Sequence, residues 1–200
     1  MFKGGKALRV GISLAGAAMI VLTVPASGQA AAKFGSKLNK NVQPSNGAPG
    51  LKCLPDTTIR CTFLLNEAYA PPNPDGKQFA PRDGKIKKIK LIAATPGHFK
   101  LAIAKLKKNQ KAKKVTQGPK IDYTGSNPNS NTYKVESFKV NLPIKKGQVL
   151  TAQAKKISFV RCSSGGDNTL IYQPPLSVNA PFASPTGDDG CWMLLEAFYG

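Results

Sequence analysis

Of the two signs of charge, the negative one is scarce in this sequence. Against 29 Lys+Arg stand 10 Asp+Glu in 200 residues, giving a formal charge of +19 and a pI near 10.0, although only 20% of residues are charged. A disordered polycation is excluded, because 41% hydrophobic residues supply apolar surface to offset chain entropy. One His, one Trp and four Cys leave few parts for catalysis or metal binding. There is no G-x-S-x-G elbow, P-loop, H-E-x-x-H or dinucleotide fingerprint, and the carboxylates form no recognisable acid/base pair. A non-catalytic protein without a cofactor is the expectation. Beyond the amino terminus no apolar run approaches the ~20 residues that a spanning helix needs. With 19 Gly and 16 Pro, frequent turns are expected and long helices are not.

What is present begins with an export signal. Lys3, Lys6 and Arg9 precede the apolar stretch from Val10 to Val24, and small residues from Ala26 to Ala32 follow with A-x-A frames. That order is the n-region, h-region and cleavage site of a secretory signal peptide, assigned to residues 1–32. The mature protein is expected outside the cell. Its cleavage removes three basic residues and no acid, so most of the charge belongs to the domain that remains.

Export permits disulfides. Cys53, Cys61, Cys162 and Cys191 allow three connectivities, of which two local bridges, Cys53–Cys61 and Cys162–Cys191, are preferred. A zinc site is the weaker alternative, since no C-x-x-C occurs and His98 stands far from any paired spacing. Asp188 and Asp189 with Asp167 could suggest calcium, but without regular ligand spacing a polar turn before Cys191 is preferred.

Residues 33–56 read as a flexible polar leader, carrying Pro44, Asn46, Gly47, Pro49 and Gly50 without either period. From residue 57 to 200, short apolar segments alternate with turn clusters. Phe99, Leu101 and Ile103 alternate, as do Phe138, Val140 and Leu142, and Trp192, Leu194 and Phe198 share a face. Period 2 at short intervals predicts a single all-β domain, an antiparallel β-sandwich of jelly-roll-like form. Phe99 to Val115 also has helical spacing, but residues 107–114 hold no apolar side chain except Ala112, so a hairpin turning at Lys108-Asn109-Gln110 is preferred. Ile86 and Ile89 are three apart, which calls for a strand starting at Lys87 or for a bulge.

The order of features resembles a group of uncharacterised secreted actinobacterial β-sandwich proteins. The residues that carry the resemblance are Ala80-Pro81 and Gly84 leading into Ile86, Ile89 and Leu91; Phe99, Leu101 and Ile103; Leu142-Pro143-Ile144 with Gly147, Val149 and Leu150; Pro174-Pro175-Leu176; and Leu194-Leu195-Glu196-Ala197. It covers about residues 57 to 199 and implies a jelly-roll-like sandwich, with no catalytic residues to carry over. The chain departs from the group in its many lysines and in Ile89, where Trp is frequent.

Between Asp83 and Asp122 there is no acid, while Lys85, Lys87, Lys88, Lys90, Lys100, Lys105, Lys107, Lys108, Lys111, Lys113, Lys114 and Lys120 occur. These lysines are expected to gather on one side or end, with the hairpin residues Lys105, Lys107, Lys108, Lys111, Lys113 and Lys114 as the contact region for an extracellular polyanion or cell-wall polysaccharide. Few arginines occur, which favours diffuse attraction over bidentate readout. Aromatics within the band are scarce, so no specific nucleic acid is expected. A plain solubility face is the bland alternative. The other functional class is a carbohydrate-binding module that stacks sugars on exposed aromatics, with Tyr123, Tyr133, Tyr172 and Trp192 as candidates; Trp192 is better explained as packing on its neighbouring disulfide.

Overall fold

A computed structural model describes residues 32–38, 44, 50–53, 59–66, 77–126, 133–162 and 168–200. The expected signal peptide lies outside the described residues except for Ala32, and so do the 67–76 turn cluster and Asp167. Among the described residues there is no helix. In chain order the strands are β1 (Lys33–Gly35), β2 (Leu51–Lys52), β3 (Cys61–Leu65), β4 (Gly84–Leu91), β5 (Gly97–Leu106), β6 (Ala112–Tyr123) and β7 (Glu136–Ile144). They continue with β8 (Gln148–Ala154), β9 (Lys156–Ile157), β10 (Val160–Cys162), β11 (Thr169–Tyr172), β12 (Gly187–Asp189), β13 (Cys191–Met193) and β14 (Leu195–Tyr199).

A front sheet runs β1-β14-β4-β7 and a back sheet runs β12-β11-β3-β8-β5-β6, with short β2-β9 and β10-β13 pairs beside them. All these pairings are antiparallel. The main pairs are nested along the chain: β1 with β14, β3 with β8, β4 with β7, and β5 with β6. Such nesting is what results when one long antiparallel ribbon rolls over into two facing sheets, which is the jelly roll. The β11-β12 pair extends the back sheet past β3.

The inward side chains of the two sheets form one core. Ile86, Ile89, Leu91, Leu142 and Ala197 from the front meet Phe63, Phe99, Leu101, Ile103 and Leu150 from the back. At one end Phe159 lies 4.9 Å from Phe99 and meets Tyr123 edge-on at 5.5 Å, ring contacts worth about 0.5–1.5 kcal/mol beyond their burial. The register of β4 shifts between Ile86 and Lys88, a bulge that turns both Ile86 and Ile89 inward despite their odd spacing. The expected hairpin over residues 99–115 is present, and its second strand runs on to Tyr123, beyond the short segment that periodicity suggests.

The leader is not wholly a leader. Phe34, in β1, is buried against Tyr199 with ring centroids 5.8 Å apart, and the Ala32 carbonyl accepts a hydrogen bond from Tyr199 N at 3.0 Å. Leu51 and Cys53 are buried as well, with β2 paired to β9. One apolar residue in a polar stretch shows no periodicity, yet it completes the edge of a sheet that would otherwise be open. Gly35 adopts φ +94, and a Cβ there would strike the Leu195 carbonyl, so only glycine fits the end of β1. Both disulfides pair as expected, Cys53 with Cys61 and Cys162 with Cys191, the latter two directly opposite across β10 and β13.

The two sheets differ on their outer sides. A second apolar cluster of Leu64, Ala104, Ala112, Val149, Leu170, Tyr172 and Leu176 lies on the far side of the back sheet. The chain after β11 covers it: Leu176 N donates to Thr62 Oγ1 at 3.0 Å, and Ala183 bridges to Ala112 on the β6 edge. On the front sheet, β4 and β7 alternate between buried and more open residues, so the outer face remains accessible.

Candidate functional site

The β5–β6 hairpin ends the back sheet, and its tip is fixed rather than loose. Lys107 N donates to the Lys111 carbonyl at 2.9 Å, Gln110 takes φ 62, and Tyr172 Oη donates to the Gln110 carbonyl at 2.6 Å. Of the six candidate lysines, Lys105, Lys107, Lys108 and Lys111 are exposed, Lys113 is half-buried and Lys114 is buried. Lys105 sits opposite Lys113 across the strands. Phe182 comes from the segment along the β6 edge, and Lys107 Nζ is 4.0 Å and Lys113 Nζ 5.1 Å from its ring centroid. The electron-rich ring face holds the two ammonium groups near each other, offsetting part of their repulsion.

Lys114 plays a different part. Its ammonium donates to Gln117 Oε1 at 2.8 Å, and burial, aided by the positive charge of Lys100, holds its pKa below the ordinary lysine value. It is a structural member of the hairpin rather than an exposed contact. At the far end of the same strands, Lys100 faces Lys120, and Lys120 pairs with Asp122 at 2.7 Å.

The basic band does not gather on one side. Lys85, Lys87, Lys88 and Lys90 lie on β4 of the front sheet, whereas the hairpin lysines belong to the back sheet. Sequence adjacency placed them in one interval, but the chain crosses between sheets after β4.

Three of the aromatics considered for sugar stacking are core residues. Tyr123, Tyr133 and Tyr172 are 4%, 7% and 1% exposed, and Trp192 is half-buried on the core opposite Arg161. Burial pushes the Tyr123, Tyr172 and Tyr199 hydroxyls up from the ordinary tyrosine value. His98 lines a cavity of about 200 Å³ with Tyr123, Lys155, Lys156 and Ser158. The Ser158 hydroxyl there already donates to the Thr95 carbonyl at 2.7 Å. Cys162, Asp189 and Cys191 cluster, but the sulfurs are joined to each other and Asp189 Oδ1 accepts from Cys191 N at 2.8 Å. A disulfide sulfur has no thiolate to offer a metal.

Among the described residues no helix is long and apolar enough to cross a membrane. Compared with protein-family models, curated proteins and solved structures, the chain matches none. The residues missed from sequence were Phe182 and Phe198, the rings that collect ammonium groups. In sequence Phe198 shows only an alternating strand position, and its ammonium partners emerge only once the neighbouring strands are known.

Proposed function

We propose that this is an exported, non-catalytic jelly-roll protein that holds to an extracellular acidic polysaccharide through the β5–β6 hairpin. The observation that carries this is the exposed set Lys105, Lys107, Lys108 and Lys111 on a tip pinned by Tyr172. A rigid cluster of ammonium groups attracts a polymer of repeated anions without ordering a floppy loop on binding. The amino-terminal signal, the resemblance to secreted actinobacterial sandwiches and the two disulfides support an extracellular place. Among sugar ligands an acidic chain suits this surface better than a neutral one, because three of the four candidate stacking aromatics are buried.

The test is retention on an immobilised sulfated polysaccharide across a salt gradient. The protein is expected to bind at low salt and to elute as salt screens the exposed charges. Replacing Lys105, Lys107, Lys108 and Lys111 with Gln is expected to shift elution to clearly lower salt, with the melting temperature unchanged. Elution at the same salt as the parent protein would sink the hairpin as the contact region.

A further inference from the structure

The outer face of the front sheet holds a second cluster of the same kind. Phe198 lies between Ala197 and Tyr199, both of which face the core, so strand alternation turns its ring outward. Directly opposite partners in neighbouring strands share a face. Lys33 pairs with Phe198, Phe198 with Lys88, and Lys88 with Lys139, so one row crosses all four strands of the sheet on its outer side. Lys90, two residues along β4 from Lys88, also faces outward. The ammonium groups of Lys88, Lys90 and Lys33 converge on the Phe198 ring at 4.6, 5.0 and 5.9 Å from its centroid.

The balance of charge on this face is strongly positive. Glu196, side chain 4% exposed, pairs with Lys33 at 2.8 Å. Glu196 also lies directly across from Lys90 in the β14–β4 register, but among the described residues no acidic side chain forms an ion pair with Lys88, Lys90 or Lys139. Ammonium groups drawn to one ring create a local potential that favours an anion bridging them. Because the ring is already faced by cations, it does not offer an open platform for a nucleic-acid base. The geometry suits a chain recognised by its repeating negative groups. Adjacent strands lie about 4.8 Å apart, so the row offers charges at intervals that a chain running across the strands could meet in succession.

We infer that this front face, centred on Phe198 with Lys88, Lys90 and Lys139, is a second binding surface for acidic polysaccharide, and that together with the hairpin it makes the protein a cross-linker of such chains. The cross-linking rests on the hairpin proposal above; the front face itself does not. The two surfaces belong to different sheets, so two polymer strands meet them without competing for the same lysines.

The experiment mixes the protein with soluble dextran sulfate and reads both binding and turbidity over a series of salt and stoichiometry. Three variants are compared: Lys88→Gln with Lys90→Gln and Lys139→Gln; the hairpin variant; and a control with equal charge loss to the first, Lys37→Gln with Lys52→Gln and Lys77→Gln. Lys33 is kept because it partners the buried Glu196, and near-ultraviolet circular dichroism checks the fold. The parent and control are expected to bind and turn turbid near charge equivalence. The front-face variant is expected to bind with a salt dependence shallower by roughly two counterions and to stay clear. The hairpin variant is likewise expected to bind without turbidity. A front-face variant indistinguishable from the control overturns the second surface, whatever the hairpin does. If the hairpin variant matches the control while the front-face variant ceases to bind, the hairpin proposal and the cross-linking both fail and the front face stands alone. Parent protein that binds without turbidity overturns cross-linking, and tighter binding to single-stranded oligothymidylate than to dextran sulfate at equal charge overturns the polysaccharide assignment.

Discussion

At the scale of single residues, charge in this protein does two separate jobs, and burial decides which. Glu136 is an acid used for structure: its carboxylate accepts from Thr124 N and Oγ1 at 2.9 Å each and from Gly125 N at 2.8 Å, tying the end of β6 to the start of β7. Glu136→Ala leaves those donors without their acceptor and is expected to cost about 2–4 kcal/mol of stability in urea unfolding. Buried tyrosines give the protein an alkaline limit. Folding raises the hydroxyl pKa of Tyr123, Tyr172 and Tyr199 above the ordinary tyrosine value of 10.0, chiefly by desolvation. As pH climbs past 10 the unfolded chain releases protons that the folded chain keeps, so the stability present below pH 10 falls as pH rises through the raised values. Lys114 acts with the opposite sign, because its lowered pKa makes the folded state easier to hold once that ammonium is neutral. Unfolding of Tyr172→Phe, followed from pH 9 to about 11.5, is expected to show a shallower decline than the parent. An unchanged slope would mean that Tyr172 does not contribute to it.

Elements were legible in proportion to how much of their own pattern they carry. The β5–β6 hairpin could be read because its apolar residues alternate up to Leu106 and vanish at the turn. The bulge in β4 was foreseeable as one of two ways to seat Ile86 and Ile89, and the pairing with β7 and β14 selected it. β1 could not be read, since a three-residue strand with one buried aromatic has no period of its own and forms only because β14 presents a free edge. Cys162 and Cys191 show the same dependence: β10 and β13 are short strands held opposite each other, with a bridge closing 29 residues of chain. Changing both to Ser is expected to lower stability by about 3 kcal/mol in equilibrium unfolding, compared with the same protein oxidised. A loss well below 1 kcal/mol would show that packing of Met193 and Val160 suffices to hold this pair.

Over the whole molecule, the amino-acid sequence pointed to an all-β chain, favoured local cysteine pairing among three connectivities that the fold then decided, and set lysine far above acid in the central stretch. Those properties depend on composition, on period-2 patterning and on short chain separations, all of which are written along one dimension. Tertiary structure decided where the charge goes. The chain leaves the front sheet after β4 and enters the back sheet at β5, so lysines adjacent in sequence part company. The segment after β11 covers the far side of the back sheet and leaves the outer sides of β4 and β7 in the front sheet accessible. Nested pairing brought Lys33 and Phe198, from opposite ends of the domain, into one row with Lys88 and Lys139. Charges interact through space rather than along the chain, so the sequence sets how many lysines the domain carries and only the fold decides which of them act together.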